Sequence, residues 1–184
     1  VNKIPTIFER DWLGDRSRVL DIPVEGCEWV FEGEGVATRK YDGTCVMFDG
    51  EAWWARREVK NGKLPPPGFV VAETDLGTGK IMGWEPLAQS PFAKFAREAI
   101  DRPKEQVLVA GTYELCGPKV QGNPEGYSGH LLILHSDAQV IHDLSPVFGA
   151  IESALHFYHY EGFVWHHPDG RMAKIKARDF GIKR

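Results

Sequence analysis

The spacing of hydrophobic and polar positions changes several times along this chain, and each change marks an element. Cys45-Val46-Met47-Phe48 and Glu51-Ala52-Trp53-Trp54-Ala55-Arg56 flank Asp49-Gly50. An Asp-Gly pair between two such runs is the strongest short hairpin signal. With a two-residue loop, Phe48 opposes Glu51 and the ladder counts back until Gly43 opposes Arg56. That register returns Arg56 and Arg57 beside Asp42 and Lys40. Residues 61–68, with three consecutive prolines, read as an exposed loop. Ser90-Pro91 opens a helix to about Ile100, with Ser as N-cap and Pro in the first turn. Residues 106–115 read as a strand, the Gly-, Pro-, Asn- and Ser-rich residues 117–129 as a loop, and Leu131-Leu132-Ile133-Leu134 as a buried strand. Ser145-Pro146 caps a second helix through roughly Tyr158.

The chain closes with a hairpin around His167-Pro168-Asp169-Gly170. A four-residue turn pairs His166 with Arg171, and counting inward sets Phe163 against Lys174 and Glu161 against Lys176, these last four sharing one face. A slip of one residue breaks that agreement, because side chains alternate between faces along a strand. The pattern as a whole supports mixed strands and helices with several hairpins, without an internal repeat.

Composition narrows the class. The 184 residues, 42% hydrophobic and 26% charged, suit one domain spanning 1–184 with a real core. No apolar run approaches the roughly 18 residues of a membrane span, and Val1-Asn2-Lys3-Ile4-Pro5 lacks the core of a secretory signal, so the expected location is the cytoplasm. Cys27, Cys45 and Cys116 have no Cys-x-x-Cys spacing, which argues against a disulfide scaffold or a structural zinc site.

A net charge of −4 excludes a uniformly basic nucleic-acid coat, yet Arg171, Lys174, Lys176, Arg178, Lys183 and Arg184 crowd the C-terminal segment. The alternation in Lys174-Ile175-Lys176 describes a strand with one apolar and one basic face, a geometry for gripping phosphates. Lys40 stands two residues before Asp42-Gly43, and a lysine amine that is deprotonated and held in line can attack a phosphorus centre. Gly77-Thr78-Gly79-Lys80 imitates the end of a P-loop, but Thr74 replaces its first glycine and Ile81 the required Ser or Thr. His156 with His159, and His166 with His167, form no metal set and suit helix-surface and turn positions.

Lys40-Tyr41-Asp42-Gly43-Thr44 resembles motif I of the covalent nucleotidyltransferases, the superfamily of ATP-dependent DNA ligases, RNA ligases and mRNA capping enzymes. More narrowly, the chain resembles the ATP-dependent 5′-to-3′ RNA ligase family of vertebrates with bacterial and viral relatives. The match rests on Ala37-Thr38, Asp42-Gly43-Thr44-Cys45, Trp54-Ala55-Arg56, Glu73-Thr74, Gly83-Trp84, Glu114-Leu115, Gly122-Asn123-Pro124, His130-Leu131-Leu132-Ile133, Glu161-Gly162, Val164-Trp165-His166, Asp169-Gly170 and Lys174. These segments span most of the chain in collinear order.

The resemblance implies a three-step reaction. Lys40 attacks ATP and releases pyrophosphate, AMP passes to an RNA 5′-phosphate, and a 3′-hydroxyl displaces AMP. It implies Thr38 near the adenine, Asp42 and Gly43 at the nucleotide, Arg56 near ribose or phosphate, Glu114 on the ribose or a metal shell, Glu161 near the metal and Lys40, and Lys174 on the α-phosphate. Glu73 matches a family acidic position, and Lys176 is a looser correspondence. Arg56 is preferred to Arg57 by its Trp-Ala-Arg context, which leaves Arg57 to solvent or RNA. Tyr113 and His135 are both candidates for the aromatic that stacks on adenine. The implied cofactors are ATP and Mg²⁺ or Mn²⁺. The implied partner is RNA with 5′-phosphate and 3′-hydroxyl ends, with no membrane and no required protein partner.

The implied fold is α+β: a compact nucleotidyltransferase domain with twisted, largely antiparallel sheets around an ATP cleft. Eight residues follow Lys176, so no separate OB-fold domain is expected. Two other readings share part of the pattern. A capping-type guanylyltransferase would form the adduct from GTP, and a catalytically decayed nucleotide- or RNA-binding module would form none.

Overall fold

The computed structural model describes residues 4–102 and 107–184. Val1, Asn2 and Lys3 of the N-terminal reading, and Gln106 at the start of one expected strand, lie outside the described residues. The chain runs through β1 (Phe8–Arg10), β2 (Val19–Pro23), α1 (Glu28–Phe31) and β3 (Val36–Lys40). It continues through β4 (Thr44–Phe48), β5 (Trp53–Val59), β6 (Val70–Asp75), β7 (Lys80–Pro86), α2 (Ala93–Asp101), β8 (Gly111–Cys116) and β9 (Leu131–Leu134). It closes with α3 (Phe148–Tyr158), β10 (Gly162–His166) and β11 (Met172–Lys176). This is a mixed α+β chain dominated by sheet, and every pairing between these strands is antiparallel. No helix among the described residues is long and apolar enough to cross a membrane.

The described residues fall into two compact units. The discontinuous one comprises Ile4–Tyr41 and Ala138–Arg184. Its sheet has the order β11-β10-β3, and β1 with β2 forms a separate pair. Alternation divides the three-stranded sheet cleanly. Ala37, Phe163, Trp165, Ala173 and Ile175 are buried on one face, in a core shared with Ile151 and Leu155 of α3. Lys40, Gly162 and Lys176 make a row across the opposite face, and Thr38, Val164 and Lys174 make the next row.

The register of β10 with β11 corrects the sequence reading. His166 pairs with Met172, Val164 with Lys174 and Gly162 with Lys176, one residue away from the expected ladder. The cause lies in the turn, which holds five residues. The amide of His167 donates to Arg171 O at 2.9 Å, and Gly170 supplies a φ of +92°. The Asp169 carboxylate accepts from both the amide and Nε of Arg171. Phe163 therefore faces the core against Ile175, away from Lys174. His166 is a strand residue rather than a turn residue.

The other unit, Asp42–Asp137, holds a six-stranded sheet in the order β6-β7-β5-β4-β8-β9. Val46, Ala55, Tyr113 and Leu115 pack with Ala96 and Ala99 of α2 in its core. Here too the turn is longer than expected. Phe48 pairs with Trp53, because the Asp49 side chain accepts hydrogen bonds from the amides of Glu51 and Ala52 and from Trp54 Nε1, making a four-residue loop. Counting on from that ladder sets Arg56 against Cys45 instead of Gly43. A two-residue shift preserves the face of every side chain, whereas the one-residue shift in β10–β11 does not.

Three boundaries also moved. Ser90 acts in the turn before α2, its carbonyl accepting the Ala93 amide at 3.0 Å, so the helix starts at Ala93, two residues later than with Ser90 as N-cap. No side-chain cap opens α3, which starts at Phe148 and ends where His159 takes a left-handed φ of 54°. The strand expected from residue 106 begins at Gly111, and β9, an edge strand, is half-buried rather than buried. Residues 117–129 contain no helix or strand, and the proline-rich residues 61–68 are mostly exposed, both as expected.

Candidate active site

In the discontinuous unit the sheet brings two lysines onto one carboxylate. Lys40 is the last residue of β3, Lys176 the last of β11, and both pair with Gly162, the first residue of the central strand. Because Gly162 has no side chain, nothing separates the two lysines along that row. Glu161, just before the strand, reaches into the gap: its Oε2 accepts from Lys40 Nζ at 2.5 Å and its Oε1 from Lys176 Nζ at 2.6 Å. The three side chains are 22%, 19% and 14% exposed for Lys40, Lys176 and Glu161.

Burial pushes the Glu161 carboxyl up, but the charges and hydrogen bonds of Lys40 and Lys176 outweigh it and hold the group below its usual range. The carboxylate is thus ionised near neutral pH and positions the amines. Lys174 lies one row further along the same face, so three lysines share it. Such a face presents a field suited to an anion.

Contacts from outside this row support it. Buried Asp179 accepts the backbone amide of Lys176 at 2.9 Å through Oδ2 and pairs with Arg10 through Oδ1 at 3.0 Å. It fixes the end of β11. The edge of β11 is covered by residues 5–7, with the Lys174 amide donating to Pro5 O and the Ile7 amide to Lys174 O. Thr38 is 8% exposed, and its hydroxyl donates to Val164 O at 3.2 Å while lying 3.1 Å from His166 Nε2. Arg178 is exposed.

In the Asp42–Asp137 unit, the first two backbone amides are held by carboxylates. Asp42 N donates to Glu125 Oε1 at 3.0 Å and Gly43 N to Glu114 Oε1 at 3.1 Å. The other oxygen of Glu114 contacts His135 Nε2 at 3.0 Å, and His135 Nδ1 contacts the Thr112 hydroxyl at 2.9 Å. Gly43 is required by close approach, since a Cβ there would lie 2.2 Å from Leu115 O. The ladders place Arg56, Glu73 and Glu114 on one face of the six-stranded sheet, opposite its Val46–Leu115 core.

The structure therefore groups the sequence-derived residues into two sets. Lys40, Glu161, Lys174, Lys176 and Thr38 belong to one unit, and Asp42, Gly43, Arg56, Glu73 and Glu114 to the other. Arg57 points to the opposite face from Arg56 and pairs with buried Glu85 at 2.9 Å. Tyr113 is removed from the candidates for stacking: it is 3% exposed, in the core, with its hydroxyl donating to Val109 O at 2.5 Å. His135 remains beside Glu114. Sequence reasoning missed Gly162 as a spacer, Asp179 as an anchor and Glu125 as an acceptor. The acidic Asp179 within a basic segment was the one local signal among them.

The chain matches no family model and no curated protein.

Proposed function

We propose that this chain is an ATP-dependent RNA ligase with a nucleotidyltransferase fold, joining RNA 5′-phosphate and 3′-hydroxyl ends through a lysyl-AMP on Lys40 and an adenylylated RNA 5′ end. One observation carries the reading: the amine two residues before Asp42-Gly43 is held by a partly buried carboxylate in a row of lysines. The motif resemblance supplies the reaction. In the first step Lys40 gives up its ammonium proton to water, the freed amine forms a bond to the α-phosphorus while the bond to pyrophosphate breaks with its electron pair leaving on that group, and a second N–H proton passes to water as the phosphoramidate forms. Lys174 and Lys176 neutralise phosphate charge as it shifts, which is where phosphoryl-transfer catalysis is concentrated. Glu161, ionised and weakly basic, orients the amine.

Mg²⁺ is the implied metal. Glu114 fits it: each of its oxygens takes one hydrogen bond and keeps lone-pair capacity for a hard cation that retains waters and phosphate ligands. Glu161 fits it only once a lysine contact opens, since the ammonium groups on its two oxygens repel a cation there. When bound, the metal supplies charge neutralisation on the triphosphate.

Intact-mass measurement after incubation with ATP or GTP and Mg²⁺ tests the reading. One AMP added at Lys40, absent in Lys40→Ala, together with joining of RNA that requires a 5′-phosphate, is the expected result. An adduct from GTP alone supports a capping-type enzyme. An AMP adduct without RNA joining supports AMP transfer to another acceptor, and no adduct supports a binding module.

A further inference from the structure

The reverse face of the three-stranded sheet carries a column of side chains directly behind Lys40. Arg39 and Tyr41, the residues on either side of Lys40, contact each other through a guanidinium-on-ring arrangement, Cζ lying 4.4 Å from the Tyr41 centroid. The same guanidinium lies 4.2 Å from the centroid of Tyr160, the residue immediately before Glu161. Tyr160 stacks in turn on Tyr158, centroids 5.1 Å apart and planes 10° apart. Backbone and side-chain bonds brace the column: Arg39 N donates to Gln139 O at 2.8 Å and the Tyr160 hydroxyl to Gln139 Oε1 at 3.4 Å. All these residues belong to the discontinuous unit.

We propose that Arg39 is a positioning residue: clasped between Tyr41 and Tyr160, it fixes the backbone around Lys40 and before Glu161, so that amine and carboxylate stay aligned for nucleotide attack. Strand alternation makes this work. Arg39 pairs with Phe163 on the core face while Lys40 pairs with Gly162 on the other, so a clamp on the back restrains rotation of the Lys40 peptide on the front. The planar guanidinium is what permits contact with two rings at once, and a lysine at this position lacks that plane. The sequence signal is modest, an arginine at a position where strand alternation calls for an apolar residue.

The inference rests on Lys40 being the nucleophile, and its test separates the two ideas. Single-turnover AMP transfer is measured for the wild type, Arg39→Met and Arg39→Lys at saturating ATP and Mg²⁺. Both variants are expected to lose about 10²-fold in first-order rate while half-saturating ATP moves by less than about twofold and the final adduct amplitude is retained. A wild-type rate in either variant, or a loss confined to amplitude, overturns the proposal, because a merely structural role would reduce the active fraction alone. If the wild type forms no adduct, the ligase reading fails and Arg39 is judged by crystal structures of both variants, compared at the contacts of Glu161 with Lys40 of β3 and Lys176 of β11. Loss of the Lys40–Glu161 contact in both variants supports the clamp, and its retention in either overturns it.

Discussion

Lys40 and Lys176, at the ends of the two outer strands of one sheet, hold opposite oxygens of Glu161 at 2.5 and 2.6 Å. The carboxylate is shared, so removing it leaves two ammonium groups facing each other across a glycine.

Glu161→Gln is therefore expected to destabilise the fold by about 2–4 kcal/mol, since breaking a largely buried ionic set strands the remaining charges. Urea unfolding measures this. In the proposed reaction the same variant loses at least about 10²-fold in the rate of AMP transfer, because the amine is no longer held in place.

Acid sensitivity follows from the same group. Lys40 and Lys176 hold the folded-state pKa of Glu161 below the usual carboxylate range despite its burial, so its contribution to stability is complete above the unfolded-state pKa and is lost as pH falls through the folded one. Urea midpoints taken from about pH 7 down to about pH 3 should fall more steeply for the wild type than for Glu161→Gln in the acid part of the range. Parallel curves would assign the acid sensitivity to other carboxylates.

Gly162→Ala tests the spacer. A Cβ at this position would lie 2.0 Å from Ile175 O and 3.0 Å from Lys176 Cα, so the strands must separate. The expected cost is about 1–3 kcal/mol, with the Lys176 contact weakened. A crystal structure of the variant with the Lys40–Glu161–Lys176 contacts intact would refute the spacing argument.

His135→Ala addresses the metal requirement of the proposed reaction. His135 bridges Thr112 and Glu114, and such orienting partners typically change metal affinity by about 10- to 100-fold. The Mg²⁺ concentration for half-maximal adduct formation should rise accordingly, and chelation by EDTA should abolish adduct formation in the wild type.

Element type was legible in the sequence where periodicity was long, as in β4, β10 and α3. Loop length was not. Asp49-Gly50 signals a hairpin, but the number of residues in its loop is decided by the carboxylate bonds of Asp49 to Glu51, Ala52 and Trp54. At His167–Arg171, Asp169 and Gly170 added one residue and exchanged the face of Phe163. The lysines and Glu161 were legible as chemistry because of their motif context. Their meeting was anticipated through a register that the structure corrects: Lys176 lies opposite Gly162, and Glu161 reaches it from outside the strand. Asp179 caps the Lys176 amide three residues back, a spacing readable only once the end of β11 is known, and Glu125 acts on the Asp42 amide from far along the chain, a contact that leaves no spacing pattern.

The chain leaves the discontinuous unit after Tyr41 and re-enters it at Ala138, and the antiparallel bridge between Thr38 and Val140 holds those two crossings side by side. Residues 42–137 are thus inserted between two stretches of the host unit that lie beside each other. A short turn joining those two stretches would close the host unit with its own core uninterrupted. Lys40, Glu161, Lys174 and Lys176 would all remain in the excised protein, whereas Glu114 and Arg56 would leave with the insert. The lysine–carboxylate cluster and the face that carries Arg56, Glu73 and Glu114 thus belong to two units, each with its own core.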